Sequence, residues 1–337
     1  MTTITAAEYF GLDHPPVLLD VRSPAEYRAG HMPGAVSLPL FDDVERAEVG
    51  TLYKQIGADE ALLRGLDIAG GKMRHLVEEA RRAAPGGEAV VQCWRGGQRS
   101  SSVAWLLEQA GMRVRQLAGG YKAYRSFVRR WLGEDRHELR VLSGPTGTGK
   151  TRILHAMRDL GAAVVDLEGL ANHKGSSFGA LGEAPQPSSE EFENLLFAAL
   201  HAIPPHWTVW LEDESRMIGT VCQPEPFYER LVKAPAVEVV QPTAWRVDNL
   251  VNDYSRYPKE GLIAAFTRLR KKLGGQHLQA ALDALARDDY RTACETALAY
   301  YDKAYAHYAS RKPAEVTQLR AEGPEAAVIA RQLLACR

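Results

Sequence analysis

LRVLSGPTGTGKT, residues 139–151, decides the architecture of the second half of the chain. LRVLSG (139–144) reads as a buried strand that enters a glycine-rich turn, and TRILHAMRDLG after it reads as a helix. Gly144 to Thr151 satisfies G-x-x-x-x-G-K-[ST] between those two elements. In such a turn, backbone N–H groups and Lys150 hold phosphate oxygens, Gly147 and Gly149 let the chain approach closely, and the Thr151 hydroxyl is placed for magnesium. Working outward, AAVVDLE (162–168) and WTVWLEDE (207–214) read as further buried strands ending in acid. Asp213, between Glu212 and Glu214, is then expected as a second magnesium carboxylate, against the plainer possibility of a solvated strand end. This is the pattern of a nucleotide-binding α/β core.

Between those strands, Gly175 to Ser189 is a Gly-, Ser- and Pro-containing loop, long enough for a lid or a substrate-positioning segment. From Thr243 the pattern is helical, and ALAYYDKAYAHYAS carries a tyrosine stripe (Tyr300, Tyr301, Tyr305, Tyr308) best read as helix packing. A phosphate loop shows binding of a phosphorylated ligand better than it shows hydrolysis, so kinase, ATPase and pyrophosphate-binding functions stay open. The absence of an N-K-x-D motif disfavours a signalling GTPase.

The first 135 residues alternate short apolar runs, VLLDV (17–21), AVSL (35–38) and AVVQC (89–93), with helical stretches. A mainly parallel sheet follows. A polar joint at Gly133 to Glu138 separates it from the phosphate-loop half. The expected domains are 1–135, an α/β core at 136–242, and a helical region at 243–337 packed on that core.

Cys93 closes the strand AVVQ and opens CWRGGQRS, which runs into the helix SSVAWLL. A thiol at a strand-to-helix turn faces a helix N-terminus, which stabilises a thiolate or a bound anion. Arg95 and Arg99 add positive charge there. Two chemistries fit this loop: sulfur-type transfer on Cys93, or a cysteine phosphatase in which the arginine clamps phosphate.

LLDVRSPAEYRAGHMPGAVSLPL and LAGGYKAYR resemble the opening and closing stretches of a rhodanese domain. The resemblance implies a persulfide or perselenide carried on Cys93, with Asp20 and Arg22 near the active loop and Glu26 and His31 to Gly34 shaping the following turn. DLEGLANHKGSSFG, FEN, WLEDESRMIG and YYDKAY, together with CWRGGQRS, resemble the tRNA 2-selenouridine synthase family over nearly the whole chain. That family replaces the sulfur of wobble 2-thiouridine with selenium from selenophosphate, through an S-geranyl intermediate made from geranyl diphosphate. The resemblance therefore implies no tightly bound cofactor, with tRNA, selenophosphate and geranyl diphosphate as partners, and magnesium joining the phosphate loop if Asp213 participates. It implies diphosphate held at Gly144, Gly147, Gly149, Lys150 and Thr151, and selenium transfer at Cys93, Arg95 and Arg99. Asp166, His173, Lys174 and Ser176 become substrate or metal candidates. The competing expectation is a rhodanese-fold phosphatase or sulfurtransferase coupled to a nucleotide-binding domain.

The 337 residues carry 41 Lys and Arg against 42 Asp and Glu, 45% hydrophobic and 25% charged, values that exclude disordered and fibrous classes. Net charge of -1 predicts no nucleic-acid or membrane partner by itself. Its distribution does more. Residues 113–158 hold 11 basic against 3 acidic side chains and 256–272 hold six against one, whereas 159–229 hold 12 acidic against 2 basic. Arg268, Arg270, Lys271 and Lys272, with Tyr254 and Tyr257 nearby, are the expected contacts for a tRNA anticodon region. No apolar run approaches the roughly 20 residues of a bilayer span, and the N-terminus lacks a signal-peptide pattern, so a cytoplasmic protein is expected. Cys93, Cys222, Cys294 and Cys336 have no zinc or disulfide spacing.

Overall fold

The computed structural model describes residues 2–310 and 313–335; Cys336 lies outside the described residues. The chain forms two compact units, Met1–Trp131 and Leu132–Arg337. Among the described residues, no helix is long and apolar enough to cross a membrane.

The first unit is built on β1 (Thr2–Ile4), β2 (Val17–Asp20), β3 (Val36–Ser37), β4 (Glu88–Gln92) and β5 (Arg113–Leu117). All are parallel, in the order β1-β5-β4-β2-β3. The helices are α1 (Ala6–Phe10), α2 (Pro24–Ala29), α3 (Asp43–Gln55), α4 (Ala58–Gly70), α5 (Met73–Ala83), α6 (Gln98–Gln109) and α7 (Gly120–Gly133). Leu18, Leu19, Val90 and Val91 are fully buried, as expected of strands covered on both faces. Each buried Leu or Val contributes about 1.5–3 kcal/mol relative to exposure. Capping boxes at Ser23/Glu26 and Asp42/Glu45 start α2 and α3, which fixes where the chain turns away from the sheet.

The second unit repeats the plan with β6 (Glu138–Ser143), β7 (Ala163–Val164), β8 (Thr208–Glu212), β11 (Ala236–Val240) and β12 (Val316–Arg320), parallel in the order β12-β11-β6-β8-β7. A small antiparallel hairpin, β9 (Met217–Ile218) and β10 (Val221–Cys222), stands apart from this sheet. The helices are α8 (Lys150–Asp159), α9 (Leu167–Leu170), α10 (Ser189–His201), α11 (Glu225–Lys233), α12 (Thr243–Tyr254), α13 (Lys259–Arg268), α14 (Arg270–Leu273), α15 (Gly275–Ala286), α16 (Tyr290–Ala309) and α17 (Ala326–Ala335). The region after Thr243 is helical as expected, and it also returns one strand, β12, to the sheet edge. Ile329, Ala330 and Leu333 of α17 join the core against Ile153, Leu154 and Met157 of α8. A separate apolar cluster of Leu262, Phe266, Leu278 and Leu285 takes in Phe178, whose ring meets Phe266 edge-on at 4.9 Å. That contact anchors the 173–183 loop to the helical region.

Candidate active sites

Cys93 stands one residue beyond the C-terminal end of β4, whose register pairs Asp20 of β2 with Gln92. That sheet edge is where parallel α/β folds bind ligands. The closing stretch LAGGY shapes the loop from beneath: the N–H groups of Tyr121 and Lys122 donate to the carbonyls of Cys93 and Trp94, each at 2.9 Å. Gly120 makes this approach possible. Its φ is +60°, and a Cβ there would lie 2.3 Å from the Cys93 carbonyl oxygen and 2.4 Å from the Gly96 nitrogen. With its carbonyls occupied from below, the loop leads into the free N–H groups of the α6 first turn.

Side chains complete this site. The Cys93 sulfur lies 3.1 Å from the Ser100 hydroxyl, which accepts a 2.7 Å bond from the Gln116 amide on β5. Arg99 is held by Glu26, at 2.6 and 3.2 Å, so its charge is anchored beside the thiol. Burial opposes charge on Glu26, yet the bonds from Arg99 outweigh it and keep the carboxyl below its usual range. Arg95 is exposed and has no ion pair among the described residues. Its guanidinium is open to solvent beside the cysteine loop. Asp20 and Arg22 form a fully buried pair at 2.6 Å, with the Arg22 guanidinium 3.9 Å from the Tyr121 ring centroid. They brace the strand end on which the cysteine loop sits.

The second site follows β6. Gly144, Gly147 and Gly149 have positive φ, and Lys150 starts α8 with its ammonium 3.1 Å from the Gly144 carbonyl. The loop is gripped from its outer side by three side chains: Arg246 Nε donates to the Thr146 carbonyl at 2.9 Å, Asn249 to Gly147 at 2.9 Å, and Gln241 to Thr148 at 3.2 Å. A Cβ on Gly147 would come within 2.8 Å of the Arg246 carbonyl, so glycine is needed for this grip. Arg246 in turn forks onto Asp302 of α16, at 2.5 and 3.2 Å.

The acidic residues divide differently from the expected pairing of Thr151 with Asp213. The Thr151 hydroxyl donates to Glu168 at 2.6 Å, whereas Asp213 accepts from Ser143 at 2.6 Å and from Tyr308 at 2.9 Å. Glu214 is buried beside Glu168; burial first, then the Glu168 charge, pushes its carboxyl up to about 8. Glu212 is fully buried and raised well above the usual range by that burial and then by the Asp166 charge, its Oε2 accepting from the Leu167 N–H at 2.9 Å. Asp166 caps α9 through the Gly169 N–H and meets His155 at 2.6 Å. Among the described residues, no cluster of three or more His, Cys, Asp or Glu has metal-holding geometry. A magnesium ion here would draw most of its ligands from phosphate and water.

Lys174 pairs with Glu183 at 2.9 Å and bonds the Tyr257 hydroxyl at 3.1 Å, so the loop is tied to the helical region. Ser176 accepts from the Phe178 N–H at 3.2 Å, and the backbone N–H of His173 bonds the Glu168 carbonyl at 3.0 Å. The tyrosine stripe does more than pack: Tyr301 accepts from the Ser177 N–H, and Tyr305 and Tyr308 reach Ser143 and Asp213. Beside Thr146 of the phosphate loop lies a narrow, almost wholly apolar crevice lined by Phe178, Leu250, Tyr254, Phe266 and Cys294. Its void is about 40 Å³, so an alkyl chain entering it must part these side chains.

Residues 137–333 match the model of the tRNA 2-selenouridine synthase AAA domain, and residues 10–127 match the rhodanese-like domain. A tRNA 2-selenouridine synthase of Marinobacter nauticus is 36% identical over 91% of this chain and 92% of its own. This chain belongs to the tRNA 2-selenouridine synthase family. A relative of the same name from Bdellovibrio bacteriovorus is 44% identical over 70% of this chain, and another from Nitrosomonas europaea is 38% identical over 70%. The matches span just under two thirds of those two relatives, 64% and 63% of their lengths. The solved N-terminal domain of a putative ATP/GTP binding protein from Clostridium difficile 630 is 38% identical over 38% of this chain and 98% of its own, with a TM-score of 0.35.

In this family member the expected RNA contacts sit on α13 and α14. Arg268, Arg270, Lys271 and Lys272 are exposed, and Arg268 also donates to the Ser177 carbonyl at 2.9 Å. Tyr254 is partly buried against the helical cluster, while Tyr257 lies under Lys174 and Arg256, with the Arg256 guanidinium carbon 5.1 Å from its ring centroid. Sequence reasoning missed Gln116, Gln241, Arg246 and Asn249. Nothing in their local spacing marks them, because each acts across the fold. Asp302 lay inside the quoted YYDKAY.

Proposed function

We propose that this chain converts 2-thiouridine in tRNA to 2-selenouridine, using geranyl diphosphate to activate the sulfur and selenophosphate to replace it. The observation that carries this reading is a cysteine loop joined in one chain to a phosphate loop that borders an apolar crevice. An allylic diphosphate would use both surfaces, its diphosphate in the loop and its chain between the apolar side chains beside Thr146 once they part.

In the first step the thiocarbonyl sulfur attacks C1 of the geranyl group, the C–O bond to diphosphate breaks, and the base loses its N3 proton. Lys150 and the loop N–H groups stabilise the leaving diphosphate as its charge develops. Thr151, Glu168 and Glu214 offer hard oxygen donors suited to magnesium, which would screen that charge when bound. In the second step the selenium of selenophosphate adds at C2, the C–S bond breaks as geranylthiol departs, and water cleaves the P–Se bond to release phosphate while N3 regains its proton. Selenium in selenophosphate is already at the selenide level, so the exchange requires no redox partner. Cys93 and Arg95 serve this half of the reaction, and the basic α13–α14 surface takes tRNA phosphates.

Incubating the protein with 2-thiouridine-containing tRNA, geranyl diphosphate and selenophosphate, then weighing the digested nucleosides, tests the proposal. S-geranyl-2-thiouridine and 2-selenouridine are the expected products. Appearance of neither refutes the reading. Cys93-dependent hydrolysis of an aryl phosphate would favour the phosphatase alternative.

A further inference from the structure

We propose that Gln116 and Ser100 are positioning residues for Cys93, forming a buried relay that delivers a hydroxyl proton to the cysteine sulfur when it ionises. This rests on the role given to Cys93 above. The argument begins with Gln116, which β5 places next to β4 through the pair Val91 and Gln116. Its amide nitrogen lies 2.9 Å from the Gly96 carbonyl and 2.7 Å from the Ser100 oxygen. A carbonyl only accepts, so the group facing Gly96 is the NH2, and the same NH2 donates to Ser100.

Ser100 then has one proton left to give and two places to send it: the Gly97 carbonyl at 3.1 Å, or the Cys93 sulfur at 3.1 Å. With a neutral thiol the carbonyl is the better acceptor. With a thiolate the charged sulfur is, because hydrogen bonds to ionised acceptors are about twice as strong as neutral ones. Ser100 is fully buried and Gln116 is 6% exposed, so water does not compete for these bonds. Gln116 also ties the relay to the loop at Gly96, which keeps the hydroxyl in register with the sulfur.

The test is the pH dependence of Cys93 alkylation by iodoacetamide in the full chain, read by mass spectrometry of the Cys93 peptide so that other cysteines do not interfere. Ser100→Ala should raise the midpoint by about one unit, a roughly tenfold slower reaction below it. Ser100→Thr should restore most of the shift, and Gln116→Leu should move the midpoint in the same direction as Ser100→Ala by a smaller amount. A midpoint unchanged within about 0.3 unit in Ser100→Ala overturns the relay. A purely structural role for Ser100 would alter melting temperature and leave the midpoint where it was. Alkylation does not need tRNA, so a shifted midpoint without any 2-selenouridine formation would keep the relay and sink the proposed function.

Discussion

The cysteine loop and the phosphate loop each follow the C-terminal end of a central parallel strand, and they are supported in different ways. Around Cys93 the support reaches inward to the reacting atom: Ser100 and Gln116 approach the sulfur, and Glu26 fixes Arg99 beside it. Around Lys150 the support grips the outside of the loop through Gln241, Arg246 and Asn249, leaving the cradle to the backbone. The difference follows from the chemistry. Under the proposed function, a nucleophile must be tuned as an individual atom, whereas a diphosphate would be bound by a surface whose shape must not change.

The largest expected effects come from crossing the two sites. Cys93→Ala should abolish selenation, a loss of about 10³-fold or more, and leave geranylation within about twofold. Lys150→Ala should lower geranylation by about 10²-fold or more, read as diphosphate release. Loss of both activities in Cys93→Ala would mean that the two loops serve one site, and the contrast drawn above would fail. Unchanged diphosphate release in Lys150→Ala would remove geranyl diphosphate from the phosphate loop.

A smaller effect tests the outer grip. Arg246 reaches Asp302 with both terminal nitrogens while Nε holds Thr146, a use of the planar guanidinium that lysine cannot reproduce. Arg246→Lys should weaken binding of the diphosphate donor by about tenfold and leave Cys93 alkylation unchanged. An unaltered KM for the donor would show that the loop holds its shape without this clamp.

How much of this was legible in the sequence depends on whether a residue acts locally. Gly144 to Thr151 and Cys93 to Ser100 are contiguous, and their meaning comes from a strand before and a helix after, both of which hydrophobic patterning shows. Asp213, expected at a metal because it ends a strand, accepts from Tyr308 and Ser143, while it is Glu168 that accepts from the Thr151 hydroxyl. Deciding between those carboxylates needs the path of the 166–175 loop, which no spacing encodes. Arg246 lies 100 positions from Thr146 and 56 from Asp302, so only the folded chain brings the three together.

The two sites also respond to pH in opposite directions, and this gives the finest test of the comparison. Glu26 is held below its ordinary range by Arg99, so its stabilisation of the cysteine loop is present above the usual carboxylate range and is lost as pH falls. Glu214 is the reverse: its carboxyl is raised from 4.5 to about 8, so the folded second unit binds the extra proton. Its contribution is full below 4.5 and declines as pH rises toward 8. In metal-free buffer, amide protection factors, which remove the intrinsic pH dependence of exchange, should therefore fall in α6 on acidification and in α8 on going from about pH 6 to pH 8. Glu214→Gln copies the protonated acid, so it should flatten the second response and raise the melting temperature at pH 8 by a few degrees, while leaving the first untouched. Magnesium with diphosphate should slow exchange in α8 at pH 8 in the parent chain, since a cation favours the ionised carboxylate. If α8 exchange follows the same acid-side trend as α6, Glu214 is ionised throughout and the burial argument for it is wrong.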